Sequence, residues 1–148
     1  MLEHQLRDDL TAAMKAQDKL RMSTLRSLRA AIINAQVAGA QKRTLTDEEV
    51  TALLQSELKK RAEAAEAFDL GQRPERAASE RAEAEIISSY LPQALSDDQL
   101  DALVARVVEA GGYHGKADMG AAMRDAKAEA AGRADGRKLA ELVQAHLA

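Results

Sequence analysis

The sequence predicts an all-α protein: an N-terminal long-helix hairpin or bundle of about four helices, followed by a small three-helix C-terminal domain. Three observations lead to that expectation. First, 46% of the 148 residues are hydrophobic, but 32 of them are alanine, leaving 18 Leu, 6 Val, 5 Met, 4 Ile, 2 Tyr and 1 Phe. That supply suits thin helix–helix seams better than one thick core. Second, Val, Ile and Thr together number only 15, whereas Ala, Leu, Glu, Lys, Arg and Gln abound; strand formers are scarce and helix formers plentiful. Third, apolar residues recur at helical spacing, with capping residues ahead of the runs and glycine behind them.

Leu2, Leu6, Leu10, Ala13 and Met14 predict a first helix over 2–15. Asp18 is placed to cap a second, with Leu25, Leu28, Ile32 and Ala35 inside, an end near Ala38 and Gly39 as its stop. After a loop over 39–45, Thr46-Asp47-Glu48-Glu49 reads as a capping box. Val50, Leu53, Leu54, Leu58, Ala62, Ala65 and Phe68 carry that helix to Leu70, and Gly71 ends it. Pro74 suits the first turn of a fourth helix, which Pro92 limits to about Tyr90. Ser96-Asp97-Asp98-Gln99 is a second capping box, ahead of Leu100, Leu103, Val104, Val107 and Val108, with a stop at Gly111-Gly112. Asp118 is expected to cap a short helix with Met119, Ala122, Met123, Ala126 and Ala130 on one face, ended by Gly132. Asp135 caps the last helix, with Leu139, Leu142, Val143 and Leu147 inside and Gly136 in the preceding turn. The break at Pro92 predicts two domains, 1–91 and 96–148.

Several functions are excluded or disfavoured. Without cysteine there is no disulfide, thiolate catalysis or zinc ribbon. The three histidines, His4, His114 and His146, fall in separate segments and read as surface or seam residues. No phosphate loop, dinucleotide fingerprint, nucleophile elbow or His-Glu-x-x-His is present. We expect no catalytic residue, metal or cofactor. Glu57, Glu63 and Glu66 mix with Lys59, Lys60 and Arg61, while Glu80, Glu83 and Glu85 alternate with Arg76 and Arg81. These read as solvated faces laced with ion pairs. The acidic start lacks a signal-peptide pattern, and no apolar run reaches membrane-spanning length. The expected location is cytoplasmic, away from membranes.

Net charge is −3, so any nucleic-acid partner needs a local basic patch. Two candidates stand out. From Lys19 to Thr46 there is no acid, and Lys19, Met22, Arg26, Arg29 and Ile33 share a helix face. Lys19, Arg26 and Arg29 therefore form a candidate docking face, and burial against acidic helices of the same bundle is the plainer explanation. The second cluster is Lys116, Arg124, Lys127, Arg133, Arg137 and Lys138, interspersed with Asp118, Asp125, Glu129 and Asp135. Asp118 and Asp135 have capping work to do, whereas Arg133 has no evident structural job.

Ordered short signatures accumulate along the chain. They are Leu25-Arg26 with Ile32-Ile33-Asn34, Leu45-Thr46-Asp47-Glu48-Glu49-Val50, Lys59-Lys60-Arg61, and Glu85-Ile86 with Tyr90-Leu91-Pro92. Ala117-Asp118-Met119-Gly120, Met123 and Gly132-Arg133-Ala134-Asp135-Gly136 follow. Together they resemble the YqeY family, or GatB/YqeY domain proteins, over nearly the whole chain. That resemblance implies likeness to the helical and tail regions of GatB, a subunit of the glutamine-dependent amidotransferase acting on Asp-tRNA(Asn) or Glu-tRNA(Gln). The implied family activity is carbon–nitrogen ligation with glutamine as amido donor. The tail is implied to bind tRNA, making residues 96–148 a GatB-tail-like domain. Where family members often carry further lysines, this chain has Ala121, Ala128 and Ala131, with Arg124 and Lys127 nearby.

The chain has no room for an ammonia-generating or phosphorylating domain. The expectation is a non-catalytic tRNA-binding or tRNA-amidation accessory protein. It would work beside tRNA and an aminoacyl-tRNA synthetase or amidotransferase. A helical protein-interaction adaptor without RNA function is the alternative.

Overall fold

The computed structural model describes residues 1–148 throughout. Seven α-helices follow in order: α1 (Leu2–Ala16), α2 (Lys19–Gln36), α3 (Asp47–Leu70), α4 (Pro74–Ser88), α5 (Asp97–Gly111), α6 (Met119–Ala130) and α7 (Gly136–Leu147). A 3-10 turn at Lys116–Asp118 leads into α6. There is no strand, and the protein is all-α as its composition predicts. The chain divides into two compact units, Met1–Leu91 and Pro92–Ala148.

The N-terminal unit has one core of large aliphatic side chains. Leu6 and Leu10 of α1, Leu25, Leu28 and Ile32 of α2, Val50 and Leu54 of α3, and Ile87 of α4 are all buried in it. Each contributes on the order of 1.5–3 kcal/mol through burial. Further out along α3 and α4 the seam changes character. Between residues 59 and 85 the buried positions are Ala65 and Ala77. Small side chains let two helices approach closely but bury little area. The outer end of this hairpin is tied by an Arg81–Asp69 ion pair and by Arg76 stacked 5.8 Å over the Phe68 ring.

Both predicted capping boxes form. Thr46 Oγ1 accepts from the Glu49 amide at 3.1 Å, and Glu49 accepts from the Thr46 amide at 3.3 Å. Ser96 Oγ accepts from the Gln99 amide at 3.2 Å, and Gln99 returns the bond at 3.0 Å. Arg43 grips Glu49 with its two terminal guanidinium nitrogens, at 2.9 and 2.5 Å. That bond, aided by the Thr46 amide, pulls the Glu49 carboxyl down to about 2. Asp47 accepts from the Leu2 amide at 3.1 Å, joining the starts of α1 and α3.

Several boundaries differ from expectation. Helix α2 stops at Gln36, because the Arg43 amide takes the Gln36 carbonyl at 3.0 Å and turns the chain back. Gly39 therefore lies beyond the stop. Helix α4 stops at Ser88; the amides of Tyr90 and Leu91 reach back only three residues, to Ile87 and Ser88, tightening the end. Met14 and Ala62, expected on buried stripes, are exposed.

The charged faces of α3 and α4 are solvated as expected at Lys59, Lys60, Glu63, Glu66, Arg76, Arg81 and Glu85, with ion pairs at Lys60 and Arg81, but Glu57 and Arg61 are not solvated. Arg61 is only 17% exposed and faces three carboxylates: Glu57 at 3.5 Å, Glu80 at 3.7 Å and Glu83 at 3.0 Å. It also donates to Ser27 Oγ of α2 at 3.0 Å. Glu57 lies at the i+3 position from Leu54, on the apolar stripe, and that position explains its burial. The upper end of α4 is held similarly. Tyr90 donates to Asp9 of α1 at 2.5 Å and accepts from Arg21 of α2 at 3.1 Å. Burial, then the Asp9 carboxylate, pushes its hydroxyl up to about 12.

The C-terminal unit has its own core. Leu100, Leu103, Val104 and Val107 of α5 and Leu139, Val143 and Leu147 of α7 pack with Ala122, Ala126 and Ala130 of α6. The three alanines repeat every four residues, so α6 presents a flat face to both neighbours. Gly111 leaves room for the Tyr113 ring, which a β-carbon would overlap. Gly112, at φ 63°, takes the left-handed turn that ends α5.

Candidate functional site

The six predicted basic contacts of the C-terminal unit fall into three groups. Arg133 and Lys138 reach toward the segment around the start of α5, Arg133 half-buried and Lys138 from an exposed position. Arg133 Nε donates to the Gln93 carbonyl at 2.8 Å, and the Leu95 amide donates to the Arg133 carbonyl at 2.9 Å. These two bonds tie the segment ahead of α5 to the α6–α7 junction. Lys138 adds an ion pair to Asp97 in the first turn of α5. Arg133, which the sequence left without a structural job, is a strut.

Arg124 and Arg137 form the second group. Both are exposed and both have weak local partners, Asp125 at 3.6 Å and Glu141 at 3.6 Å. Exposed pairs of this kind contribute about 0–1 kcal/mol and break readily for a competing anion. Lys116 and Lys127 are the third group, exposed and with no salt bridge to any acid. Gly120, Arg124 and Lys127 follow at i, i+4 and i+7, so they share the outward face of α6, opposite Ala122 and Ala126.

The acids between them are partly committed. Asp135 caps α7 as predicted, its carboxylate accepting from the Lys138 amide at 3.4 Å. Asp118 does not cap α6 through its side chain. It accepts instead from the His114 amide at 2.8 Å, bracing the loop before the 3-10 turn. Asp125 accepts from the Tyr113 hydroxyl, and this bond, with burial behind it, raises the tyrosine above its ordinary value. The sequence reading missed that pair. Gly132, at φ 79°, and Ala131, at φ 48°, together make the turn after α6. Gly136 is not a turn residue: it is the first residue of α7, with open space where a β-carbon would lie.

The histidines are dispersed. His4 contacts Arg7, His146 lies 2.8 Å from Asp101, and His114 is 91% exposed. No group of three or more histidine or acidic side chains is placed to hold a metal ion. A cleft of about 500 Å³ lies beside the 3-10 turn, lined by Gly115, Lys116, Met119, Gln144, Leu147 and Ala148. On α2, Lys19, Arg26 and Arg29 make no salt bridge, so the plainer burial explanation for that face does not hold.

The fold defines a class, an all-helical protein of two compact units. The chain belongs to the YqeY family, matching the Yqey-like protein model over residues 3–147. Over 131 residues it is 28% identical to "Altered inheritance of mitochondria protein 41, mitochondrial" of Pyrenophora tritici-repentis (strain Pt-1C-BFP), covering 87% of this chain and 71% of that protein. The relative is mitochondrial by name; in this chain no helix is long and apolar enough to cross a membrane.

Proposed function

We propose that this YqeY-family protein is a non-catalytic tRNA-binding accessory, acting through its C-terminal unit beside an aminoacyl-tRNA synthetase or a glutamine-dependent amidotransferase. It works in an aqueous compartment, the cytoplasm on the sequence reading, and contributes binding to carbon–nitrogen ligation rather than chemistry. The observation that carries this reading is the outward face of α6. There Arg124 and Lys127 stand exposed, with Lys116 in the turn before them, while Asp118 and Asp125 accept hydrogen bonds from His114 and Tyr113. Cations without strong internal partners are available to phosphates. The mode of binding is electrostatic and shape-based. With two Tyr and one Phe in the chain, stacking on unpaired bases contributes little. Arg133 and Lys138 support the surface by holding the α6–α7 junction against the segment before α5.

The test compares two charge reversals by fluorescence titration with bulk tRNA. Lys116→Glu with Lys127→Glu should weaken binding by about a hundredfold, since two attractive phosphate contacts become repulsive. Arg26→Glu with Arg29→Glu should leave it intact. The opposite pattern would move the tRNA surface to α2 and overturn the assignment.

A further inference from the structure

Two exposed faces of the N-terminal unit have no role in this reading. On α2, Arg26, Ala30, Ile33 and Val37 are exposed and Arg29 is half-buried at the edge; Ile33 and Val37 keep 47% and 52% of their surface in water. No acid occurs between Lys19 and Thr46. On α3, Glu63, Glu66, Ala67 and Leu70 are exposed, and Leu70 keeps 88% of its surface in water. Glu63 and Glu66 make no salt bridge within the chain.

The two faces have the same spacing and opposite charge. Arg26, Arg29, Ala30 and Ile33 stand at i, i+3, i+4 and i+7, as do Glu63, Glu66, Ala67 and Leu70. These positions share one side of a helix. Laid together in parallel, Arg26 meets Glu63 and Ile33 meets Leu70 along the midline, while the flanking positions cross over, Arg29 falling beside Ala67 and Ala30 beside Glu66. Lys59, one turn before Glu63, bounds the acidic face and falls opposite Met22, which carries no charge.

We propose that the protein associates with a second copy of itself, the α2 face of each chain docking on the α3 face of the other. Both faces are exposed on the same chain, so they remain available to a partner. One such helix contact buries less than the roughly 1,200 Å² of a stable interface. A two-fold arrangement makes the contact twice, because the same patch pair serves both copies. Charge pairing sets the specificity and makes association sensitive to salt. A nucleic acid would use the arginines but leave Ile33, Val37 and Leu70 uncovered. The copy covers Ile33 and Leu70 as well as the charges.

Sedimentation velocity on the full chain tests this over a concentration series at low and high salt. The expected result is a monomer–dimer equilibrium that shifts toward monomer as salt rises. Arg26→Glu with Arg29→Glu should weaken the dimer at least about tenfold, and so should Glu63→Arg with Glu66→Arg. Arg26, Glu63 and Glu66 are exposed and Arg29 is half-buried at the helix edge, and circular dichroism should show unchanged helicity. Mixing the two variants in equal amounts should restore a dimer, since reversed α2 meets reversed α3 in one contact and the two unchanged faces meet in the other. A monomer at every concentration and salt would overturn the proposal. So would a dimer untouched by both reversals, or a mixture that stays monomeric. Loss of tRNA binding in the α2 variant with no change in mass would assign that face to nucleic acid instead.

Discussion

The two basic regions differ in what their charges do. In the C-terminal unit, four of the six predicted contacts have partners: Arg124, Arg133, Arg137 and Lys138 engage Asp125, the Gln93 carbonyl, Glu141 and Asp97. On α2, Lys19, Arg26 and Arg29 have none, although the sequence made them the better candidates for internal burial. A basic cluster in a sequence is therefore a count of charges, not of free charges. Availability depends on which acids the fold brings within about 4 Å, and at Arg133 the partner is a backbone carbonyl that no charge pattern announces.

This contrast predicts a ranking of stability effects. The largest belongs to Arg133. Arg133→Ala removes a charged donor from the Gln93 carbonyl and loosens the α6–α7 junction, and should cost about 1–2 kcal/mol in urea unfolding. A loss near zero would return Arg133 to the pool of free cations. Arg26→Ala, by contrast, should leave stability unchanged.

The capping boxes come next. Thr46→Ala in the N-terminal unit and Ser96→Ala in the C-terminal unit should each cost about 1 kcal/mol, read as a lower unfolding midpoint. Serine replacing Thr46 should rescue it, because the hydroxyl acceptor is kept.

Acid should act unequally on the two boxes. Glu49 is held below its ordinary value of 4.5, at about 2, by Arg43 and the Thr46 amide. A depressed carboxyl stabilises the fold above its unfolded pKa, and that contribution is lost as pH falls from about 4.5 toward 2. Gln99 in the second box carries no charge and has no such dependence. Glu49→Gln should therefore flatten the acid limb of stability for the N-terminal unit. An unchanged limb would place the acid sensitivity elsewhere.

The smallest effect belongs to Arg137. Its pair with Glu141 is exposed on both sides, and Arg137→Ala should change stability by no more than about 0.5 kcal/mol. A larger loss would mean that the second group of cations is structural too.

Much of the fold was legible in the sequence because its signals are local. Caps, glycine stops and helical periodicity located all seven helices, and the Thr46, Ser96 and Asp135 caps form as read. The failures are tertiary. Helix α2 ends early because Arg43, seven residues on, claims the Gln36 carbonyl. Asp118 sits where a cap belongs, but the His114 amide takes its carboxylate. Glu57 and Arg61 looked solvated until α2 and α4 closed over them. At the candidate site, the residue types and the turn were visible in the sequence. The division of the cations into struts and free charges was not, since it depends on Gln93 and Asp97, some forty residues away from Arg133 and Lys138.

The central claim is tRNA binding by the free cations of the C-terminal unit, and a salt titration tests it most directly. Purified protein is titrated with fluorescent bulk tRNA at several salt concentrations, with a duplex DNA of equal charge as control. About four phosphate contacts predict a log–log salt slope of roughly −3 to −4, with tRNA preferred over the duplex. No binding at low salt, or equal binding to the DNA, would contradict the claim.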